Sequence, residues 1–143
     1  MSDFENPSDD EIRDILARAR SVAVVGCSAD PARDSHRVAR LLQSLGHRVI
    51  PVNPSAREIL GERCYGALRA VAGPVDMVDV FRRSDAVREI AEDAIAIGAK
   101  TLWLQLGVVD EAAAAHARAA GLTVVMDRCP AIEYRRLFPG TVG

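Results

Sequence analysis

The chain is poor in the residues that build disulfide-linked or metal-linked scaffolds. Its 143 residues include three cysteines, at positions 27, 64 and 129, and this wide spacing matches neither a disulfide framework nor a zinc site. The three histidines form no HxxH or HExxH pattern. No serine or cysteine triad and no carboxylate pair is evident in the pattern of strands. We therefore predict no metal site and assign no catalytic residue.

Long apolar runs and a strong charge of either sign are also missing. The longest apolar stretches have the length of a β-strand, which is too short for a transmembrane helix. The net charge of −2 gives no overall attraction to nucleic acid or to an anionic membrane, so any anion site must be local. The N-terminus is acidic and polar, unlike a secretory signal, and we expect a cytoplasmic protein.

The sequence does contain five strand-like apolar segments that alternate with helical patterns. With 49% hydrophobic residues and no shift in composition, the chain suits one domain over residues 1–143. The alternation predicts an α/β fold, a doubly wound five-stranded parallel sheet in a three-layer, Rossmann-like domain. The predicted strands cover residues 22–25, 48–54, 75–81, 100–105 and 122–126.

Helix starts are predicted from capping residues. Ser8 opens a capping box for an additional N-terminal helix at about 8–20. Ser84 and Asp110 are expected to cap two later helices. A short helix over 132–137 is expected to end the fold. Residues 55–74 are expected to be irregular, with a short turn at 59–61 and a short helix near 67–71.

The turn after the first strand has the features of a phosphate-binding turn. Gly26 lets the backbone bend and a ligand approach closely, and a helical pattern begins near Ser35. Free N–H groups of the loop and of the helix N-terminus would converge where the helix dipole favours an anion. Arg33 and Arg37 edge this turn. The alternative is a structural turn with Ser35 as the N-cap and Arg33 in water, but the donors are denser than a cap requires.

The turn matches neither of two well-known nucleotide fingerprints. The dinucleotide pattern needs GxGxxG and an acidic residue at the end of the second strand. Here the loop holds the single glycine Gly26, and the second strand ends in Asn53 and Pro54. The P-loop pattern GxxxxGK[ST] occurs nowhere. The residues therefore predict an anion site that is neither NAD-type nor P-loop.

The ends of later strands supply further candidates, because ligands of such sheets bind beyond the carboxyl ends of the strands. Phe81, Arg82 and Arg83 offer a ring for stacking on a base and two cations for a phosphate. Alternatively, the ring completes the core and the arginines are solvated. Cys27 and Cys129 would be reactive if nearby positive charge lowered their pKa, although a lone cysteine is more often a small buried hydrophobe.

Three other polar residues receive structural interpretations. Asp79 lies inside a buried strand and must have a partner, for which we expect a neighbouring arginine. His36 is expected to be an ordinary polar residue of the first helical turn, with phosphate donation as the alternative. His116 is expected to face solvent.

Six stretches, in order along the chain, resemble the small stand-alone CoA-binding proteins of bacteria and archaea. The domain of these proteins is similar to the N-terminal domain of the succinyl-CoA synthetase α subunit. The resemblance covers about residues 15–137 and implies that the chain binds coenzyme A or an acyl-CoA. The stretches are residues 24–28 with Pro31, Arg33 and Ser35, then residues 50–54, 60–65, 78–83, 102–107 and 126–130.

The resemblance also implies how the ligand would lie. The turn would hold the pyrophosphate, the ends of the second and third strands would flank the adenosine part, and the pantetheine arm would run toward the fourth and fifth strands. The candidate ligand-binding residues are Gly26, Cys27, Ser28, Arg33, Ser35, Arg37, Val52, Asn53, Pro54, Phe81, Arg82, Arg83, Gln105, Gly107 and Cys129.

The chain departs from the synthetase in two respects. The phosphorylated histidine of the synthetase belongs to a second domain that we do not expect here, and its glycine-richer turn is replaced by residues 27–30. We therefore expect CoA binding without catalysis of its own. The alternatives are a partner-dependent acyl-CoA ligase or transferase subunit, and thiol–disulfide handling of CoA by Cys129 or Cys27. A protein partner or a homo-oligomer stays open.

Overall fold

A five-stranded parallel sheet forms the centre of the computed structural model, which describes residues 4–141. The strand order is β2-β1-β5-β6-β7. The chain places β2 on one side of β1 and β5 on the other, so the order reverses between β1 and β5. The elements are α1 (Asp9–Arg18), β1 (Ser21–Val25), α2 (Asp34–Ser44), β2 (Arg48–Val52), β3 (Glu58–Ile59), β4 (Glu62–Arg63), β5 (Met77–Val80), α3 (Val87–Ala96), β6 (Thr101–Leu104), α4 (Glu111–Ala119), β7 (Thr123–Val125) and α5 (Pro130–Leu137).

Helices cover both faces of the sheet because its strands are apolar on both sides. Successive residues of a strand point to opposite faces. Val78 and Leu102 pack toward α3 and α4, whereas Met77 and Trp103 pack toward α1, α2 and α5. All five residues of β1, the strand at the reversal, are buried. The predicted doubly wound, three-layer fold is confirmed.

Two of the predicted helix caps are confirmed and one is wrong. Ser8 is the N-cap of α1 and accepts a hydrogen bond from the Glu11 N–H at 3.2 Å, and Asp110 caps α4. Ser84 does not cap α3, because a short 3-10 turn precedes that helix. Its hydroxyl instead accepts a hydrogen bond from the Val109 N–H at 3.0 Å, which ties the end of β5 to the loop after β6.

Two further boundaries differ from the sequence prediction. The last helix begins at Pro130 rather than at 132, since proline at the first helical position loses no intrahelical bond. In the segment 55–74 the predicted turn and short helix are confirmed, the helix as a 3-10 turn at Leu68–Ala70, but the turn joins two short strands, β3 and β4, that were not predicted. Leu60 and Gly61 join these strands with φ angles of 56° and 75°, as a two-residue hairpin turn requires.

His47 joins α1 to α5 through a buried hydrogen-bond network. Its Nδ1–H donates to the Ala19 carbonyl at 2.7 Å. The Tyr134 hydroxyl lies within hydrogen-bond distance of both Nε2 of His47 and the Leu16 carbonyl, the latter at 3.1 Å, and its single proton goes to Nε2 when the imidazole is neutral. Both bonds are made by the neutral imidazole. Burial lowers the pKa of His47, so the folded chain keeps this neutral form.

Acid should therefore destabilise the fold through His47. Because its pKa is lower in the folded than in the unfolded chain, its contribution is present above the unfolded pKa and is lost as the pH falls through the folded pKa. We expect His47→Gln to flatten the dependence of the free energy of unfolding on pH between about 7 and 5. Urea unfolding measures this. An unchanged slope in His47→Gln would contradict the assignment.

Candidate ligand-binding site

Two adjoining cavities lie at the carboxyl edge of the sheet. The smaller, here called the turn pocket, has a volume of about 430 Å³ and lies between the end of β1 and the start of α2. The larger, here called the groove, has a volume of about 1110 Å³ and lies between α2, α5 and the loops after β5 and β6. Asp34 and Phe81 line both cavities, so the two form one continuous depression. This depression is at the position expected for a ligand of a doubly wound sheet.

Gly26 fixes the shape of the turn pocket. Its φ of 85° lies in the left-handed region, and a Cβ there would fall well inside contact distance of the Phe81 carbonyl oxygen. The same Cβ would lie 3.0 Å from Cδ of Arg82. A glycine is needed because the backbones after β1 and β5 approach closely here, and the Arg82 stem crosses the turn.

The loop after Gly26 satisfies many of its own N–H groups. The Ser28 N–H donates to the Ser35 hydroxyl at 2.9 Å, and the Asp30 N–H donates to the Ser28 hydroxyl at 3.0 Å. The Ala32 N–H donates to Oδ1 of Asp30 at 2.9 Å. These N–H groups are therefore already engaged, contrary to the expectation that the loop leaves them free. The donors that an α-helix leaves open are those of the first turn of α2.

Arg33, rather than Ser35, is the N-cap of α2, so the cap assignment in the structural alternative is wrong, whereas Arg33 is exposed as that alternative expected. The Arg33 side chain makes no capping bond and lines the turn pocket. Ser35 is buried one position inside the helix, where its hydroxyl holds Ser28. His36 lies in the first turn of α2, as predicted, and is buried there with Nδ1 2.9 Å from the Ser28 carbonyl oxygen.

Positive charge surrounds both cavities although the chain is slightly acidic overall. Asp34 is the only carboxylate that lines them within residues 4–141, and it pairs with Arg37. Arg83 pairs with Asp85 at 3.1 Å on the surface. The guanidinium groups at the two cavities therefore outnumber the carboxylates and make this edge attractive to an anion. The lining arginines are Arg33, Arg37, Arg40, Arg82, Arg83 and Arg135.

Ten of the fifteen sequence candidates line one or both cavities. The turn pocket is lined by Gly26, Ser28, Arg33, Ser35 and Phe81. The groove is lined by Phe81, Arg37, Arg82, Arg83, Gln105 and Cys129.

The other five candidates, Cys27, Val52, Asn53, Pro54 and Gly107, line neither cavity. Cys27 and Val52 are buried, and the Asn53 amide donates to the Cys27 carbonyl at 2.9 Å. The N–H of Gly107 donates to Oδ1 of Asp127 at 2.7 Å. Asn53 and Gly107 thus support the turn and the loops beside the cavities.

Sequence reasoning missed the part of the groove formed by α2 and α5. Val38, Leu41 and Ser44 line it from α2, and their spacing of three residues continues the stripe that starts at Asp34 and Arg37. Extending that stripe would have found them. The start of α5 was placed two residues too late, so its first turn was not assigned to the site. The residues from α5 are Ala131, Ile132 and Arg135.

Asp79 lies beneath the groove, fully buried in β5. The expected arginine partner is wrong. The amide nitrogen of Gln105, turned toward the carboxyl, lies 2.8 Å from Oδ1 and 3.3 Å from Oδ2 of Asp79. Burial raises the pKa of Asp79 well above its usual range, so the carboxyl stays protonated at pH values at which an exposed aspartate is ionised. A neutral acid beside a neutral amide needs no cation.

The buried thiol of Cys27 is poorly suited to nucleophilic chemistry at the turn. Burial, with smaller contributions from Cys64 and Asp79, raises the pKa of Cys27 to about 12. Its thiolate is scarce at neutral pH, which weighs against thiol–disulfide exchange at Cys27. Cys129 is buried as the N-cap residue of α5 and reaches the groove lining.

Across the described residues, no helix combines the length and the apolar character that spanning a membrane requires. Within the same residues, no three histidine, cysteine or acidic side chains are grouped so that they could hold a metal ion.

The strand order, and a cationic depression where that order reverses, are those of a Rossmann-like α/β domain. More specifically, the chain belongs to the CoA-binding domain family, whose sequence model matches residues 20–135. It is 42% identical over 126 residues to the uncharacterized protein YneT of Bacillus subtilis, an alignment that covers 88% of this chain and 93% of that protein.

Two further similarities extend this result. A hypothetical protein from Pyrococcus horikoshii has a solved structure with a TM-score of 0.90 and 35% identity, covering 96% of this chain and 99% of that one. An ADP-forming acetate–CoA ligase of Methanocaldococcus jannaschii is 25% identical over 85 residues, which is 59% of this chain and 12% of the ligase. The family therefore includes small domains and is related to part of a much larger ligase.

Proposed function

We propose that the chain binds coenzyme A or an acyl-CoA across the turn pocket and the groove, without catalysis of its own. The observation that carries this proposal is a cationic turn pocket continuous with a long groove, in a member of the CoA-binding domain family. Coenzyme A has matching parts: a diphosphate, a ribose 3′-phosphate, an adenine ring and an extended pantetheine arm.

The lining residues fit these parts. The first-turn N–H groups of α2 and the guanidinium of Arg33 offer donors to the diphosphate. Arg82 and Arg83 offer charge to the additional phosphate, and the half-buried ring of Phe81 is available for stacking on the base. The groove then gives the pantetheine arm a path past Gln105 toward α5.

A second candidate function follows from the similarity to the acetate–CoA ligase. The chain would then be one part of an acyl-CoA ligase and would depend on a partner for the phosphorylated intermediate. Because this chain matches only 12% of the ligase, that activity requires residues from elsewhere. CoA-dependent ATP turnover by a co-purified complex would favour this candidate. CoA binding without turnover in the same preparation would favour the binding protein.

Coenzyme A should stabilise the chain against heat and bind with measurable affinity. A ligand at a hundredfold excess over its dissociation constant adds about 2.7 kcal/mol to the free energy of unfolding. We expect Arg33→Ala to raise the Kd about tenfold, because it removes a charge-assisted hydrogen bond. Thermal unfolding with titration calorimetry measures both effects. No stabilisation at millimolar CoA would refute the proposal.

Two comparisons make this test specific. Arg48 is exposed at the amino end of β2, on the opposite edge of the sheet, so Arg48→Ala should leave the Kd unchanged. Dephospho-CoA should bind more weakly than CoA, since it lacks the 3′-phosphate. Arg82→Ala should reduce the ratio of the dephospho-CoA Kd to the CoA Kd, because the Arg82 guanidinium is expected to bind the 3′-phosphate.

A further inference from the structure

The groove continues well past the turn pocket along one face of α2. Asp34, Val38, Leu41 and Ser44 line it at intervals of three or four residues, from the first turn of this helix to the last. At a rise of 1.5 Å per residue, this stripe is about 15 Å long. A ligand whose phosphates are held at the turn pocket can therefore extend along the whole length of α2.

One part of the groove lining is apolar and exposed. Within residues 4–141, three large hydrophobic side chains are exposed: Leu106 at 56%, Ile132 at 48% and Val109 at 44%. Leu106 and Ile132 line the groove together with Val38 and Leu41, whereas Val109 does not line it. Exposed apolar side chains concentrated in one concave surface are typical of a binding site.

The charge distribution determines what kind of ligand suits this part of the groove. Arg33 lines the turn pocket, and the stem of Arg82 crosses the turn, so this end of the depression favours an anion. The same depression leads without interruption to Leu106 and Ile132. The groove is itself lined by guanidinium groups, so its apolar part is the strip formed by Val38, Leu41, Leu106 and Ile132. An apolar strip beside cationic groups is complementary to a ligand with a polyanionic head and an apolar tail.

We propose that the part of the groove beyond the pantetheine arm receives the acyl chain of an acyl-CoA, and that the site selects a medium-length apolar acyl group over an acetyl group. This inference rests on the proposed function, since the CoA part must first be held at the turn pocket. The acyl chain would cover Leu106 and Ile132 and remove their side chains from water.

Titration calorimetry with CoA, acetyl-CoA and octanoyl-CoA tests the acyl preference. Each methylene that is half buried improves the affinity about twofold, so six additional methylenes should lower the Kd by at least tenfold relative to acetyl-CoA. Leu106→Ser and Ile132→Ser should each reduce the ratio of the acetyl-CoA Kd to the octanoyl-CoA Kd at least threefold. Val109→Ser removes a similarly exposed side chain outside the groove and should keep the wild-type ratio.

Several results would overturn the inference, and they are distinguishable from failure of the proposed function. If CoA binds and the Kd values for acetyl-CoA and octanoyl-CoA are equal, the proposed CoA binding stands and the proposed acyl site is refuted. Tighter binding of succinyl-CoA than of octanoyl-CoA would show that Arg40 or Arg135 selects a carboxylate. If sedimentation showed that Leu106→Ser dissociates a dimer while the ratio stays unchanged, this part of the groove would belong to a contact between two copies. If no CoA compound bound, both proposals would fail.

Discussion

Gly26→Ala should lower the free energy of unfolding by about 2–4 kcal/mol, combining backbone strain with a steric clash. The φ of 85° is unfavourable for alanine, and the new Cβ would collide with the Phe81 carbonyl. A backbone carbonyl cannot move aside as a flexible side chain can. The ends of β1 and β5 would have to separate, and the turn pocket between them would widen. We expect CoA binding to weaken as well, by at least tenfold, because the α2 donors and Arg82 would be displaced.

Gly73→Ala separates the two contributions. Gly73 has a nearly identical φ of 88°, but no atom lies within 4 Å of the position that its Cβ would take. Its replacement should cost about 1–2 kcal/mol from strain alone and should not alter CoA binding. Chemical denaturation and calorimetry on both variants measure the difference. Equal losses of stability would mean that the approach of Phe81 contributes nothing.

Asp79→Asn should stabilise the chain at neutral pH, by about 1–3 kcal/mol. Burial raises the pKa of the carboxyl in the folded chain well above 3.8, its ordinary value. A raised folded pKa means that the stabilising contribution is complete below the unfolded pKa and is lost as the pH rises through the folded one. At neutral pH, ionisation of this carboxyl stabilises the unfolded chain relative to the folded one. Asparagine does not ionise, so this stabilisation of the unfolded chain is lost, and its side chain can still face the Gln105 amide.

Asp76→Asn provides the opposite result at the other end of β5. Burial raises the pKa of Asp76, but bonds from the Arg20 and Ser21 N–H groups, with Lys100, outweigh it and lower the pKa. Its contribution is therefore present above the unfolded pKa and is lost as the pH falls. We expect a loss of about 1–2 kcal/mol at pH 7. Urea unfolding of both variants at about pH 4 and pH 7 measures the sign of each change in the free energy of unfolding. Destabilisation by both variants at pH 7 would show that Asp79 is ionised in the folded chain.

The fold could be predicted because each of the five strands in the parallel sheet carries a local signal. Buried parallel strands need unbroken apolar runs, as in Val22 to Val25, and the helices between them need one apolar stripe. The turn at Leu60 and Gly61 was predictable, but the strands β3 and β4 beside it were not, because two-residue strands carry too little pattern. Ser84 was misplaced because a serine before a helix looks like a cap, whereas its actual partner, Val109, lies 25 residues away.

The position of the site in the fold could be predicted from the sequence, but most of the hydrogen bonds between its residues could not. Strand ends placed Gly26, Phe81 and Gln105 at one edge, because parallel strands all end there. Periodicity does not reveal which hydroxyl meets which N–H, so the engagement of Ser28 by Ser35 had to come from the structure. Asp79 shows the same limit: a buried acid needs a partner, but sequence does not distinguish an amide from a cation.

The internal hydrogen bonds of the loop after Gly26 also bear on how readily a ligand is captured. Ser28, Asp30 and Ser35 hold this segment in place before any ligand arrives. Preorganisation of this kind spares the entropy of freezing a mobile loop during association. The cofactor would then meet a rigid cradle, and the flexible partner in the encounter would be its own long arm.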